Sequence, residues 1–323
     1  MRNLISTKVK VPECIHMVPG RLWGVENLLE FIVRDEKNVL IDAGLSYTPK
    51  KEIFPFMESI GMKPTDLSYC FITHSHLDHF GGGAELLEAN PDIKICVHRD
   101  DVPWAESHRR MYNQFFLSMP GEWDPDEKFF ESVMSDCGPD YPVDIALDDD
   151  QVINIGSMRI VTKAIPAHSP GHSAFYIPEI KTVFTGDALQ GFGSFWENGV
   201  VVTPYYDTVE RYRHSLEVLS SLDVECVCSA HLGILSREEM DQYIRDSYQH
   251  IEDYCSRILD VLAKLGRPCT LRETADTLHD RYYPNNEYSF QLFGATHTHL
   301  QYLKQLGKVK LIAEDGRLKW CVQ

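Results

Sequence analysis

The chain has 323 residues, of which 43% are apolar, and it carries a formal net charge of −17 at pH 7. The length exceeds that of one average domain and the apolar fraction is ample for buried cores, so we expect two domains. The surplus of acidic side chains argues against a long nucleic acid as substrate, because a polyanion would meet an unfavourable long-range field.

Neither a signal peptide nor a transmembrane segment is expected. The first residues, MRNLISTKVKVPEC, have no sustained apolar stretch and no small-residue cleavage site, and no apolar run approaches the length that spans a membrane. The nine cysteines are scattered and include no CxxC pair, which favours buried thiols over disulfides or metal ligands. We therefore expect a cytoplasmic protein.

The first feature in chain order that indicates chemistry is the string THSHLDHFGGG at 73–83, which directly follows a short apolar run. It holds four candidate metal ligands within six positions, His74, His76, Asp78 and His79. Histidine and aspartate both bind divalent metals, and so short a spacing cannot arrange all four side chains around one ion from one strand. Two ions side by side are therefore the preferred interpretation, and a histidine-rich surface loop is the alternative.

The order of these residues divides them between the two metals. His74 and His76 project the same way from an extended turn and can share one ion. Asp78 and His79 begin the next element and point to a neighbouring position. We expect the glycines at 81–83 to let the chain turn tightly after them.

Further candidate ligands stand at the ends of later strand-like segments, where loops at one edge of a sheet converge. His168 follows an alternating segment, with His172 close by as a competitor. Asp187 ends the apolar run in TVFTGD, where a carboxylate is well placed to bridge two cations, and His231 follows a third apolar run. Each residue alone is a weak signal, because Asp and His are common at strand ends, so the argument depends on their combination.

Together these residues resemble the metallo-β-lactamase-fold hydrolase superfamily of the glyoxalase II and lactonase type, over about residues 11–231. The resemblance implies an α/β fold, an αββα sandwich whose opening strand pair closes on Asp42 and Gly44 beneath the site. It also implies a ligand set, in which the first metal is held by His74, His76 and His168, the second by Asp78, His79 and His231, and Asp187 bridges the two.

Within this resemblance, His168 is preferred to His172 as the ligand. Family members with a His-Ser/Thr-x-Gly-His string use the first histidine, which leaves His172 to support a ligand or to face the substrate. The family usually has Gly or Cys where this chain has Ala167, a mild departure that leaves the ligand set intact.

The resemblance implies two divalent ions as cofactors, with zinc preferred to manganese or iron, and a metal-bridging hydroxide that attacks a small thioester, ester or lactone. Asp78 and Asp187 are the candidate catalytic residues. The alternatives are a phosphodiesterase or ribonuclease, which a nucleic-acid-binding tail would favour, and an iron-dependent redox enzyme of the same fold. We expect a small-molecule substrate and no membrane partner.

Two aromatic segments are candidates for the substrate pocket. The insertion at about 99–150 has the periodicity of one or two amphipathic helices, which would either cover the site as a lid or only seat themselves on the sheet. The loop after Asp187 supplies the candidate substrate-binding residues Phe192, Phe195, Trp196 and Tyr205, together with His172.

The character of the sequence changes after residue 236. Residues 237–265 predict one long helix that ends at Gly266, and two further helices and a hairpin that turns at EDG follow it. We therefore predict a catalytic domain at 1–236 and a helical, winged-helix-like domain at 237–323. Packing or homodimerisation is preferred to nucleic-acid binding for the second domain, because its charges nearly cancel.

Overall fold

The structure is a computed structural model that describes residues 4–323. Residues 1–3, which belong to the start of the chain where no signal peptide is expected, lie outside the described part. Two six-stranded sheets form the centre of the fold. The first sheet contains β1 (Ile15–Leu22), β2 (Glu26–Val33), β3 (Asn38–Ile41), β4 (Leu67–Ile72), β5 (Lys94–His98) and β6 (Ile145–Leu147), in sequence order.

The second sheet has the strand order β14-β13-β10-β9-β8-β7. The strands of this part of the chain are β7 (Val152–Asn154), β8 (Arg159–Ala164), β9 (Ser173–Ile177), β10 (Thr182–Gly186), a small hairpin of β11 (Ser194–Phe195) and β12 (Val201–Val202), β13 (Cys226–Ser229) and β14 (Gly233–Ser236). Strands β10 and β13 are parallel, and so are β3, β4, β5 and β6. Because parallel strands end at the same edge of a sheet, residues that follow them can meet there.

Aromatic rings fill the space between the two sheets. The rings of Phe31 and Phe184 are 5.5 Å apart, and those of Phe71 and Phe175 are 5.0 Å apart. Strand β2 is buried along its whole length, as expected of a strand that is covered on both faces. Further apolar clusters lie between each sheet and its helices, so the predicted αββα sandwich is confirmed.

Seven α-helices lie within residues 4–236. They are α1 (Phe54–Ser59), α2 (Leu77–Phe80), α3 (Gly83–Ala89), α4 (Val102–Ala105), α5 (His108–Phe115), α6 (Glu127–Cys137) and α7 (Val209–Ser221). The predicted insertion therefore holds three helices instead of one or two, because extended backbone at Ser107 separates α4 from α5. Asp126 begins α6 as an N-cap, since its side chain accepts a hydrogen bond from the backbone N–H of Phe129.

The C-terminal part consists of α8 (Arg237–Leu265), α9 (Leu271–Tyr282), α10 (Phe290–Gln305) and a hairpin of β15 (Val309–Glu314) and β16 (Arg317–Val322). Helix α8 has the predicted bounds, because Ser236 and Glu239 form a capping box at its start and Gly266, with φ of +63°, ends it. The order of three helices and a hairpin is the predicted one, and the likeness to a winged helix stays a prediction.

The C-terminal part packs directly against the aromatic insertion. Phe290, at the start of α10, has its ring 4.6 Å from that of Phe115 and 5.4 Å from that of Phe116. Residues of both parts belong to one apolar cluster, so the C-terminal helices help to shape whatever the insertion covers. Among residues 4–323, no helix combines the length and the hydropathy that crossing a membrane requires.

Candidate metal centre

The HxHxDH string, residues 74–79, runs from the end of β4 into the first turn of α2. Strand β4 is apolar and ends in the core at Ile72, and His76 has extended backbone and begins α2, so Asp78 and His79 fall in the first turn of that helix. Gly81 and Gly82 form the turn between α2 and α3, as expected, and the glycines also allow close packing. Gly82 has helical backbone, and a Cβ there would lie 2.2 Å from the carbonyl oxygen of Ala43.

The structure brings the seven candidate ligands into two adjacent groups. Within each group, one potential ligand atom from every residue lies within 4.8 Å of the others. The first group is His74, His76 and His168, and the second is Asp78, His79, Asp187 and His231. This division follows the one that the resemblance implies. In the first group, Nε2 of His74 and Nδ1 of His76 lie 3.1 Å apart.

Asp187 contacts both groups. Its Oδ2 lies 3.5 Å from Nε2 of His168 and 3.4 Å from Nε2 of His231, and its Oδ1 lies 3.5 Å from Nε2 of His79. The residue follows Gly186, which has φ of +50° and whose added Cβ would lie 2.6 Å from Oγ1 of Thr73. The glycine thus lets β10 end close enough to the HxHxDH connection for one carboxylate to reach both groups.

Hydrogen bonds to the outer ring nitrogens orient three of the histidines. Nδ1 of His79 lies 3.0 Å from Oδ2 of Asp42, Nδ1 of His168 lies 2.8 Å from the carbonyl oxygen of Tyr205, and Nδ1 of His231 lies 2.7 Å from that of Asn27. An oxygen partner keeps a proton on Nδ1, so that Nε2 is the nitrogen available to bind a metal. All three Nε2 atoms therefore face the centre as potential metal ligands.

Unpaired atoms at the centre fit bound cations. Nε2 of His79 and Oδ1 of Asp187 are buried, and neither has a hydrogen-bond partner within residues 4–323. Buried polar atoms are normally paired, and an ion is one of the accepted explanations for an exception. Imidazole and carboxylate together suit zinc, manganese and iron. The donor set thus fits divalent metals without distinguishing these three.

In the metal-free chain, the histidine pKa values differ between the two groups. Burial lowers the pKa of both His74 and His76 well below the usual value. Burial also acts to lower the pKa of His79 and of His231, but the carboxylates of Asp187 and Asp78 outweigh it and raise both values well above the usual one. His74 and His76 therefore offer neutral imidazoles, whereas His79 and His231 are protonated beside carboxylates.

Asp101 connects the two loops that carry the first group, and sequence reasoning missed it. Its carboxylate accepts hydrogen bonds from the backbone N–H of Ser75 at 2.8 Å, from the hydroxyl of Ser169 at 2.5 Å and from the backbone N–H of Gly171 at 2.6 Å. These loops contain His76 and His168. The only signal in the sequence is an acidic residue three positions after the end of β5, which is also typical of an ordinary turn.

A cavity of about 400 Å³ opens onto both groups. Trp196 and Tyr205, predicted to contact substrate, lie on its wall, as do the insertion residues Phe115, Phe116, Trp123 and Phe129. Sequence reasoning missed the parts of the wall that come from distant segments. These include Trp23 and the C-terminal residues 287–291, whereas Asp136 belongs to α6 of the predicted insertion.

Three predicted substrate-binding residues do not line this cavity, so the expectation for them is corrected. His172 is buried behind His74, with Nε2 3.1 Å from the carbonyl oxygen of Thr185, because β9 begins directly after it and draws its ring into the sandwich. Phe192 packs its ring 6.3 Å from that of His250, and Phe195 is 60% exposed. Both belong to the outer side of the loop after Asp187.

Comparison with known proteins agrees with this fold and donor set. The family model described as the metallo-beta-lactamase superfamily matches residues 31–231, which include the HxHxDH string and end at His231. The chain belongs to the metallo-beta-lactamase superfamily. A crystal structure of the superfamily protein TTHA1429 from Thermus thermophilus is similar with a TM-score of 0.77, over 96% of this chain and 99% of that one. At 18% identity, this likeness shows the fold alone.

Two curated relatives extend the comparison within the superfamily. One is the probable metallo-hydrolase YqgX of Bacillus subtilis, 24% identical over 159 residues, which are 49% of this chain and 64% of that protein. The other is a hydroxyacylglutathione hydrolase of Cereibacter sphaeroides, 26% identical over 196 residues, which are 59% of each chain. The match thus spans less than two thirds of either relative.

Proposed function

We propose that this chain is a hydrolase that uses two divalent metal ions, zinc in the first place, to cleave a small thioester, ester or lactone. The observation that carries the proposal is the pair of ligand groups that share Asp187 and open into one aromatic cavity. A relative named for the hydrolysis of hydroxyacylglutathione supports an acyl substrate. His74, His76 and His168 would hold one ion, and Asp78, His79 and His231 the other, with Asp187 between them.

Bound divalent ions supply a water of lowered pKa and a Lewis acid for the substrate carbonyl oxygen. The overall reaction adds water to the acyl carbon, breaks its bond to sulfur or oxygen, and leaves a carboxylic acid and a thiol or alcohol. The chain's part is to hold the donors rigidly and to exclude bulk water. Tyr205 contributes to both roles, because its carbonyl oxygen orients the candidate ligand His168 and the residue lines the cavity.

The first test combines metal analysis with a substrate panel. The purified protein is analysed for zinc, manganese and iron, and is assayed on an acyl thioester, an acyl lactone, bis-p-nitrophenyl phosphate and a short RNA. The variant Asp187→Ala removes the shared carboxylate and should lower kcat/KM by at least about a hundredfold. Asp92→Ala is the matched control, because Asp92 is exposed and precedes β5, at the strand end opposite to the ligand loops.

Two results together would support the proposal. The protein should bind about two zinc ions per chain, and turnover of the thioester or lactone should be lost in Asp187→Ala but kept in Asp92→Ala. Cleavage of the phosphodiester or the RNA in preference to the acyl substrates would contradict the substrate class. Iron without hydrolysis of any substrate would contradict the reaction itself.

A further inference from the structure

One wall of the cavity runs from the metal centre to a carboxylate of the C-terminal part. The ring of Phe115 lies 4.4 Å from that of His76, and on its other sides it contacts Tyr205 at 5.1 Å and Phe290 at 4.6 Å. Glu287 lies three residues before Phe290 and also lines the cavity. This wall therefore combines three aromatic rings with one acidic group.

Trp23, Trp196 and Asp136 give the cavity a second set of aromatic and acidic lining residues. The rings of Trp23 and Trp196 lie 6.1 Å apart, and Trp23 is half exposed, so the pair stands at the mouth of the cavity. The indole N–H of Trp23 donates a hydrogen bond of 3.0 Å to Oδ2 of Asp136, which lines the cavity too. A second carboxylate is thus held beside aromatic rings by a neutral donor.

Neither carboxylate has a cationic partner within the described chain. Asp136 is bonded to an indole, Glu287 forms no ion pair with a described residue, and over residues 4–323 no lysine or arginine side chain lines the cavity. The nearby cation of Arg21 is already paired with Glu197 at 2.6 Å. Burial raises the pKa of both Asp136 and Glu287, an effect that a bound cation would oppose.

We propose that the cavity selects a substrate whose remote part, away from the bond that is cleaved, combines apolar surface with a positive charge, such as a tertiary or quaternary ammonium group. Aromatic faces attract such cations, and the two carboxylates add Coulomb attraction in a partly desolvated site. The same carboxylates repel a substrate that carries its own carboxylate. The inference rests on the proposed function, because it specifies the substrate of the same centre.

The test uses two series of thioesters that differ only in the charge of one end. In the first, a phenylacetyl group is joined to thiocholine, to its neutral isostere 3,3-dimethylbutanethiol, or to 3-mercaptopropionate. In the second, N-acetylcysteamine is the constant thiol, and the phenylacetyl ring carries a para aminomethyl, methyl or carboxymethyl group. Together they place the charge on either side of the bond that is cleaved.

In at least one series, kcat/KM should fall from the cationic to the neutral to the anionic member, by about tenfold overall. The variants Glu287→Gln and Asp136→Asn keep the shape of each side chain and remove its charge, so the cation-to-anion ratio should shrink about threefold or more in each. Glu58→Gln is the control, because it removes one negative charge from an exposed helix position that does not line the cavity.

The neutral thioesters separate this inference from the proposed function. If no thioester of any charge is cleaved, the proposed function fails first. If the neutral members are cleaved and the anionic members are equal or better in both series, the function stands and the charge selection is overturned. The charge selection is also overturned if Glu58→Gln reduces the cation preference as much as Glu287→Gln does. The preference would then come from the net charge of the protein and not from the cavity.

Discussion

Oδ2 of Asp42 lies 3.0 Å from Nδ1 of His79, so a carboxylate at the end of β3 holds a candidate ligand of the second group. The same carboxylate accepts hydrogen bonds from the backbone N–H of Thr73 at 2.7 Å and from its hydroxyl at 2.9 Å. Asp42 thus fixes both the ring of His79 and the start of the loop that carries His74.

This arrangement predicts that Asp42→Asn weakens metal binding by about 10–100-fold at the second group, because the amide cannot supply the charge that holds His79 in one tautomer. Competition with a chromophoric chelator measures the affinity of each metal. Asp92→Asn, on the surface before β5, is the matched control. Equal affinities in the two variants would show that Asp42 does not orient the ligand.

Asp101 should contribute to stability as well as to the site. Asp101→Ala leaves buried N–H groups of Ser75 and Gly171 without a partner, and we expect the free energy of unfolding to fall by about 2–4 kcal/mol. Ser169→Ala removes only one of the three bonds and should cost about 1 kcal/mol. Urea denaturation of the metal-free protein measures both. Similar losses in the two variants would contradict a role for Asp101 in joining the loops.

Metal binding to the second group should depend on pH, whereas His74 and His76 in the first group should add little dependence near neutrality. Asp187 and Asp78 raise the pKa of His79 and His231 in the metal-free chain, so both rings carry a proton that a metal must displace. Affinity at this group should therefore rise with pH until those protons are lost. The lowered pKa values of His74 and His76 mean that these rings are already neutral.

Calorimetry in two buffers of different ionisation enthalpy counts the protons released as each metal binds. We expect about two protons for the second group. Proton release that is equal for both metals, or an affinity that falls as pH rises from 6 to 8, would contradict this assignment of protons.

The positions of the candidate ligands could be predicted in part because the information is local. His74, His76 and His79 stand within one short string, and the later candidates each follow an apolar run, whereas the full ligand set and the preference for His168 over His172 came from the family resemblance. The parallel pairing of β10 with β13 then brings Asp187 and His231 to one edge.

The cavity wall was only partly predictable, because it depends on contacts between distant segments. Nothing in the sequence around Glu287 indicates that the turn before α10 lines the cavity, and its place there depends on the packing of Phe290 on Phe115 and on backbone hydrogen bonds to Val201. The outward direction of Phe195 is likewise set by its pairing with Val201 in the small hairpin, not by its aromatic character.

Ala167 departs from the usual Gly or Cys, and the structure gives this departure a measurable consequence. The residue has φ of +145°, a region that favours glycine, and it directly precedes His168. Ala167→Gly should relieve strain of about 1–3 kcal/mol and cost less than about 1 kcal/mol in unfolded-state entropy, for a net gain near 1 kcal/mol. Ala164→Gly, in β8, is the matched control and should lose about 0.5–1 kcal/mol. Urea denaturation compares the two, and a loss in both variants would mean that the backbone before His168 is not strained.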